Sequence, residues 1–148
     1  MKEHKIKEIE QLFLEFFPLY YQKFGAFFRE HDGTGIRCTK NQKRAIMMIS
    51  HREGVTSTEL GQCLDMRKGS LTTLLDSLES MNLLERKPDA IDRRRVLLFL
   101  TPNGKTYFAE IMTKHEKLFR ELFSKLPQQE IDQCLNALHK VVTTVRKI

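Results

Sequence analysis

TSTELGQCLDMRKGSLTTLLDSLE, residues 56–79, is the stretch on which the fold turns. Thr56 followed three residues later by Glu59 makes a reciprocal capping pair. The hydroxyl accepts from the third backbone N–H, and the carboxylate reaches back to the first. Leu60, Cys63 and Leu64 then recur at helical spacing and are expected to turn inward, and the run breaks around Asp65. Leu71, Leu74, Leu75 and Leu78 repeat the 3-4 spacing of a helix with one buried face. Two helices this short, joined by so tight a turn, form a helix-turn-helix.

Working outward, Thr39 and Gln42 repeat the capping pair ahead of a helix through Ala45, Ile46 and Ile49 to about His51, stopped by Gly54. Downstream the apolar period changes. Leu83 to Lys87 and Val96 to Leu100 read as strands on either side of the turn-forming run Pro88-Asp89-Ala90-Ile91-Asp92, a hairpin wing. Thr101 is placed to cap a helix with Pro102 at its first position, and Ile111, His115, Leu118, Leu122 and Leu126 carry its stripe. Pro127 restarts the chain, and Ile131, Leu135, Leu138, Val142 and Val145 line a last amphipathic helix.

At the other end, Ile6, Ile9, Phe13, Phe16, Tyr20, Phe24 and Phe27 form one stripe of a helix from Lys5 to about Glu30, which Pro18 should kink. Asp32, Gly33, Thr34 and Gly35 break it. Phe17, Tyr21 and Phe28 widen this stripe beyond the needs of one small core, so burial against a second subunit is expected. The fold class is mainly α with a small β-hairpin wing: a winged helix-turn-helix with N- and C-terminal dimerisation helices. Its parts are a dimerisation helix in 1–36, a reading head in 37–101 and dimerisation helices in 102–148.

The 148 residues carry 25 Lys and Arg against 19 Asp and Glu, a net charge of +6 that favours a polyanionic partner such as nucleic acid. Cys38, Cys63 and Cys134 are far apart, odd in number and without metal-ligand spacing, the pattern of a reduced cytoplasmic protein with no metal. Met1 to Glu10 is too charged for a secretory signal, and no stretch approaches the roughly 20 apolar residues of a membrane helix. There is no Gly-rich phosphate loop, no G-x-S-x-G elbow and no His/Glu cluster, so neither catalysis nor a cofactor is expected.

The order of elements resembles the MarR (multiple antibiotic resistance regulator) family. Thr56-x-x-Glu59-Leu60 is similar to that family's first reading helix, and Leu71 to Glu79 to its recognition helix. Asn82-Leu83-Leu84-Glu85-Arg86 resembles the step into the wing. Asp92-Arg93-Arg94-Arg95 and Leu100-Thr101-Pro102-Asn103-Gly104 resemble the wing tip and the capped helix after it. Two departures stand out. Thr73 and Ser77 occupy positions where many relatives carry a basic residue, and Gly69 opens the recognition helix at a cost of about 1 kcal/mol against alanine.

A helix in the major groove must show polar side chains to base edges while its other face stays packed. Arg67 and Lys68 are placed for phosphate or guanine, and Ser70, Thr72 and Thr73 for bases or thymine methyls. Along an extended strand Asp92 and Arg94 would share a face, the carboxylate orienting the guanidinium for a narrow minor groove, with Arg93 as its competitor. Ser57, Thr58, Ser77 and Arg86 complete the expected DNA-contact set.

The resemblance implies a repressor that binds a palindromic operator in double-stranded DNA as a homodimer and is relieved by a small aromatic or phenolic effector. Phe17, Tyr20, Phe24, Met47, Met48 and His51 are the candidate effector contacts, although the same residues fit a plain core. One branch of the family senses peroxide through a cysteine early in its first helix, and this chain has none before Cys38. The alternative is a winged helix that docks a protein partner without a specific operator, a role that acidic or apolar wings favour.

Overall fold

The computed structural model describes residues 1–28 and 33–148. The helix end expected near Glu30, the side chain of Phe27 and the break at Asp32 lie outside the described residues. The chain divides into two compact units, 1–113 and 114–148.

The first unit opens with α1 (Lys2–Phe24), which runs through Pro18 and passes into a 3-10 turn, Gly25–Phe28, rather than continuing as α-helix toward residue 30. None of its residues is buried in this chain, and Ile6, Ile9, Phe16 and Phe17 are all exposed. There follow α2 (Lys40–His51), β1 (Val55–Thr56), α3 (Ser57–Leu64), α4 (Lys68–Ser80), β2 (Leu84–Pro88) and β3 (Val96–Leu100), the region expected to be the reading head, leading into α5 (Pro102–Phe123).

Both capping boxes form. Thr39 Oγ1 accepts from the Gln42 amide at 3.2 Å while Gln42 Oε1 accepts from the Thr39 amide at 2.8 Å. Thr56 and Glu59 repeat the pattern at 3.2 and 2.8 Å. Asp65, at φ 52°, ends α3 in the left-handed conformation that its short polar side chain tolerates. At Gly61 an added Cβ would come within 3.0 Å of Leu71 Cδ2, so α3 and α4 meet closely there.

Cys63 is exposed, contrary to the inward position expected of it. Leu60, Gly61 and Leu64 are the buried residues of α3, and at about 100° per residue Cys63 falls outside the arc they span. The α4 leucines, 71, 74, 75 and 78, are all buried, joined by Ile46 and Ile49 of α2, Leu98 of β3 and Tyr107 of α5. Each fully buried Leu or Ile contributes about 1.5–3 kcal/mol of transfer free energy.

The sheet has three strands in the order β1-β3-β2, not the two of a simple hairpin. Val55 pairs with Leu98, and the hairpin runs in register from Leu84↔Leu100 to Pro88↔Val96. At its base, Asn82 takes φ 55° to turn out of α4. Thr101 Oγ1 donates to the Asn82 carbonyl at 2.6 Å and accepts from the Gly104 amide at 2.9 Å. The Thr101 amide donates to Leu83 O at 3.2 Å. A Cβ on Gly104 would lie 2.0 Å from that same Leu83 oxygen.

In the second unit the end of α5 leads through a short turn to α6 (Gln128–Val145). His115, Phe119 and Phe123 stack along one face of α5, with centroids 4.5 and 5.9 Å apart, and burial lowers the His115 pKa. No residue of α6 is buried, and Leu135, Leu138, Val142 and Val145 are 45–53% exposed, an apolar stripe without a cover in one chain.

Two glycines should respond in opposite directions. Gly104→Ala forces a methyl into a backbone oxygen and is expected to cost at least about 1–3 kcal/mol in urea melts. Gly69→Ala meets nothing within 4 Å and is expected to gain about 0.5–1 kcal/mol. Equal effects from the two would contradict this packing.

Candidate nucleic-acid interface

One face of α4 is turned to solvent from its N-terminus onward: Arg67, Lys68, Ser70, Thr72 and Thr73 are all exposed. Among the described residues neither Arg67 nor Lys68 is held in an ion pair, which leaves both cations available to an external anion. Thr72 Oγ1 donates to the Lys68 carbonyl at 2.9 Å, and Thr73 Oγ1 to the Gly69 carbonyl at 3.2 Å. With both hydroxyl protons spent on the helix, these threonines offer outward an acceptor oxygen and a methyl group. An acceptor suits the exocyclic amines of adenine and cytosine, and a methyl suits thymine.

Ser77 belongs elsewhere. It is half-buried, and its Oγ accepts from Gln42 Nε2 at 2.9 Å, so it joins α4 to α2 instead of facing outward. Gln42, 7% exposed, thereby both caps α2 and ties α4 to it. Sequence reading assigned Gln42 only the cap.

Arg86 is also not a free cation. Its guanidinium is bound by Asp76, at 2.7 Å, and by Glu79. Burial opposes its charge, but the two carboxylates outweigh that and raise its pKa. Asp76 and Glu79 were not singled out in the sequence. Their only signal there is a three-residue spacing whose partner lies beyond a turn.

The wing tip is a turn, not an extended strand. The Asp89 amide donates to Arg95 O and the Arg95 amide to Asp92 O, each at 2.9 Å. Asp89 Oδ1 accepts from the Ile91 amide at 3.0 Å, and Asp92 Oδ1 from the Arg94 amide at 3.1 Å. Asp92 therefore holds the backbone of Arg94, not its guanidinium as expected. The alternating-face argument fails because residues 92–95 are not in β conformation. Arg93 and Arg94 project exposed from this tied turn, and among the described residues neither is ion-paired. Arg95 leans toward Asp89, at 3.9 Å.

Ser57, half-buried, and Thr58, exposed, stand at the start of α3. With Lys68, Thr72, Arg86 and Val96 they line a concavity of about 650 Å³ between the helix-turn-helix and the wing. None of the six candidate effector contacts lines it. Those six fall into two groups. Phe17, exposed, and Tyr20 and Phe24, half-buried, belong to a ladder of rings along α1, Tyr20 and Phe24 being 5.3 Å apart. Burial, reinforced by Tyr21, raises the Tyr20 pKa. Met47 and Met48 pack against the head's core, and His51 is exposed, donating from Nδ1 to Met47 O at 2.8 Å.

The family model described as the MarR family matches residues 39–95, the span that holds this face and the wing tip. The HTH-type transcriptional regulator MhqR of Bacillus subtilis is 28% identical over 94 residues, covering 64% of this chain and 65% of its own length. The uncharacterized HTH-type transcriptional regulator YsmB, also of Bacillus subtilis, is 31% identical over 77 residues, 52% of this chain and 53% of its own. The match thus spans less than two thirds of either relative. Among solved structures, apo wild-type MarR of E. coli is 26% identical, covers 88% of this chain and 96% of its own, and superposes with a TM-score of 0.73.

Acid should loosen the frame of this face through Glu59. The Thr56 amide, then the Thr56 hydroxyl, hold its carboxylate below the ordinary range. Because folding depresses this pKa, the stabilisation is complete above the unfolded value and is lost as pH falls through the folded one. Glu59→Gln keeps the capping acceptor without the titration. Between neutral pH and about pH 3 the melting temperature of the wild type should fall further than that of the variant. Parallel curves would contradict the assignment.

Proposed function

We propose that the chain is a member of the MarR family, a sequence-specific repressor that holds a palindromic operator as a homodimer and is released by a small aromatic or phenolic effector; the family match over residues 39–95 supports this reading. The observation that carries this reading is the solvent-facing side of α4, with Arg67, Lys68, Ser70, Thr72 and Thr73, beside a wing turn that presents Arg93 and Arg94.

A major groove admits one helix, and α4 enters with its cations at phosphate and guanine and its threonines at base edges. The wing reaches an adjacent narrow minor groove, where negative potential is greatest and an arginine gains most. The backbone ties at Asp89 and Asp92 reduce the entropy lost when that arginine is ordered. Arginines at the tip weigh against a protein-docking wing.

Two-fold pairing is supported by the uncovered stripes of α1 and α6, which one chain leaves to water. A symmetric dimer sets its two recognition helices about 34 Å apart, one turn of B-DNA. An effector acts only if it binds the DNA-competent and incompetent arrangements unequally. The half-buried rings of Tyr20 and Phe24, with Met47 and Met48, offer contacts that an aromatic ligand uses well.

Selection of bound duplexes from random DNA, followed by titration in rising salt, tests the reading. It should enrich one inverted repeat whose affinity falls steeply with salt. No enrichment would overturn it. Arg94→Ala should weaken binding of the enriched duplex by roughly 1 to 3 kcal/mol per dimer and flatten the salt slope, with unchanged melting. Asp92→Ala should also weaken it, although electrostatics alone predicts tighter binding once a carboxylate is lost. Sedimentation of Leu135→Asp should shift the protein to monomer at micromolar concentration.

A further inference from the structure

We infer that Arg86 is a positioning residue, a strut that sets the wing root against the recognition helix, and that it makes no phosphate contact. This rests on the DNA-reading role proposed above for α4.

Thr72, Asp76 and Glu79 stand at i, i+4 and i+7, one line along the helix surface. The acids therefore continue the face on which Thr72 sits, and their side chains are 62% and 46% exposed. Arg86 reaches them from β2, where it pairs with Leu98 of β3, so its backbone is held in the sheet. Nη2 meets Asp76 Oδ1 at 2.7 Å and Nη1 meets Glu79 Oε2.

Both terminal nitrogens are thus engaged, and the Arg86 side chain is only 25% exposed. A planar fork with two fixed donors can bridge two acids on a helix, and a lysine ammonium cannot reproduce that geometry. The wing turn, with Arg93 and Arg94, grows from the strand this fork anchors. Arg86 then sets the angle at which wing and helix meet DNA together.

The test is a mutant cycle on the duplex enriched from random DNA and on random duplex, each titrated with salt. Arg86→Gln should lower affinity for the enriched duplex about tenfold, leave random-duplex affinity within about twofold and leave the salt slope unchanged. In an Asp76→Asn/Glu79→Gln background the same change should cost less than about twofold. A slope shallower by about two per dimer, with the same loss in both backgrounds, would identify Arg86 as a phosphate contact and overturn the proposal.

Equal loss on both duplexes would make Arg86 a folding residue only, and no loss would remove it altogether; either overturns the proposal. Should Arg86→Gln be unfolded at the assay temperature, Arg86→Lys decides by the same criteria, because it keeps the charge and loses the fork. If the wild type itself shows no preference between the duplexes, the DNA-reading role fails first.

Discussion

The carbonyl of Leu83 lies against the Cα of Gly104, so close that even a methyl group has no room. Three elements meet there: the end of α4 at Asn82, the start of β2, and the first turn of α5 capped by Thr101. Thr101 ties all of them, with its hydroxyl between Asn82 O and the Gly104 amide and its own amide on Leu83 O. A buried junction made of backbone groups and one hydroxyl has little freedom to relax.

From that junction the presenting surface is organised by polar ties more than by free charges. Gln42 and Ser77 hold α4 to α2, Arg86 holds α4 to β2, and Asp89 and Asp92 build the tip from which Arg93 and Arg94 project. Arg67, Lys68, Arg93 and Arg94, which make no ion pair among the described residues, lie at the two places where the proposed grooves would pass. Structural ion pairs such as Arg86 with Asp76 and Arg52 with Glu59 engage other charges of the same unit. Net positive charge alone would not have separated these two populations.

What was legible in the sequence was local. Capping boxes, the α4 leucine stripe, the hairpin and the Thr101-Pro102 helix start each depend on residues within a few positions of one another, and all formed. Two of the differences, at Ser77 and Arg86, share one cause, contact across the fold. Ser77 looks like an outward helix position until α2 packs beside it, and Arg86 looks like a free wing cation until α4 brings two acids to it. Cys63 misled because three apolar residues do not fix the centre of a helical stripe once a buried glycine takes part of it. Strand β1 has two residues, too few for any period to be seen. Asp92 misled because its turn depends on a carboxylate bonding its neighbours' backbone, which alternation along a strand does not describe.

The most direct measurement of the central claim, that α4 and the wing address two grooves of one duplex with two-fold symmetry, is hydroxyl-radical footprinting of the protein on a duplex enriched from random DNA. The account predicts a protection pattern symmetric about the centre of an inverted repeat, with recognition-helix windows about one helical turn apart and flanking minor-groove windows. The flanking windows alone should vanish in an Arg93→Ala/Arg94→Ala protein. A continuous or asymmetric footprint, or flanks that persist without those arginines, would contradict it.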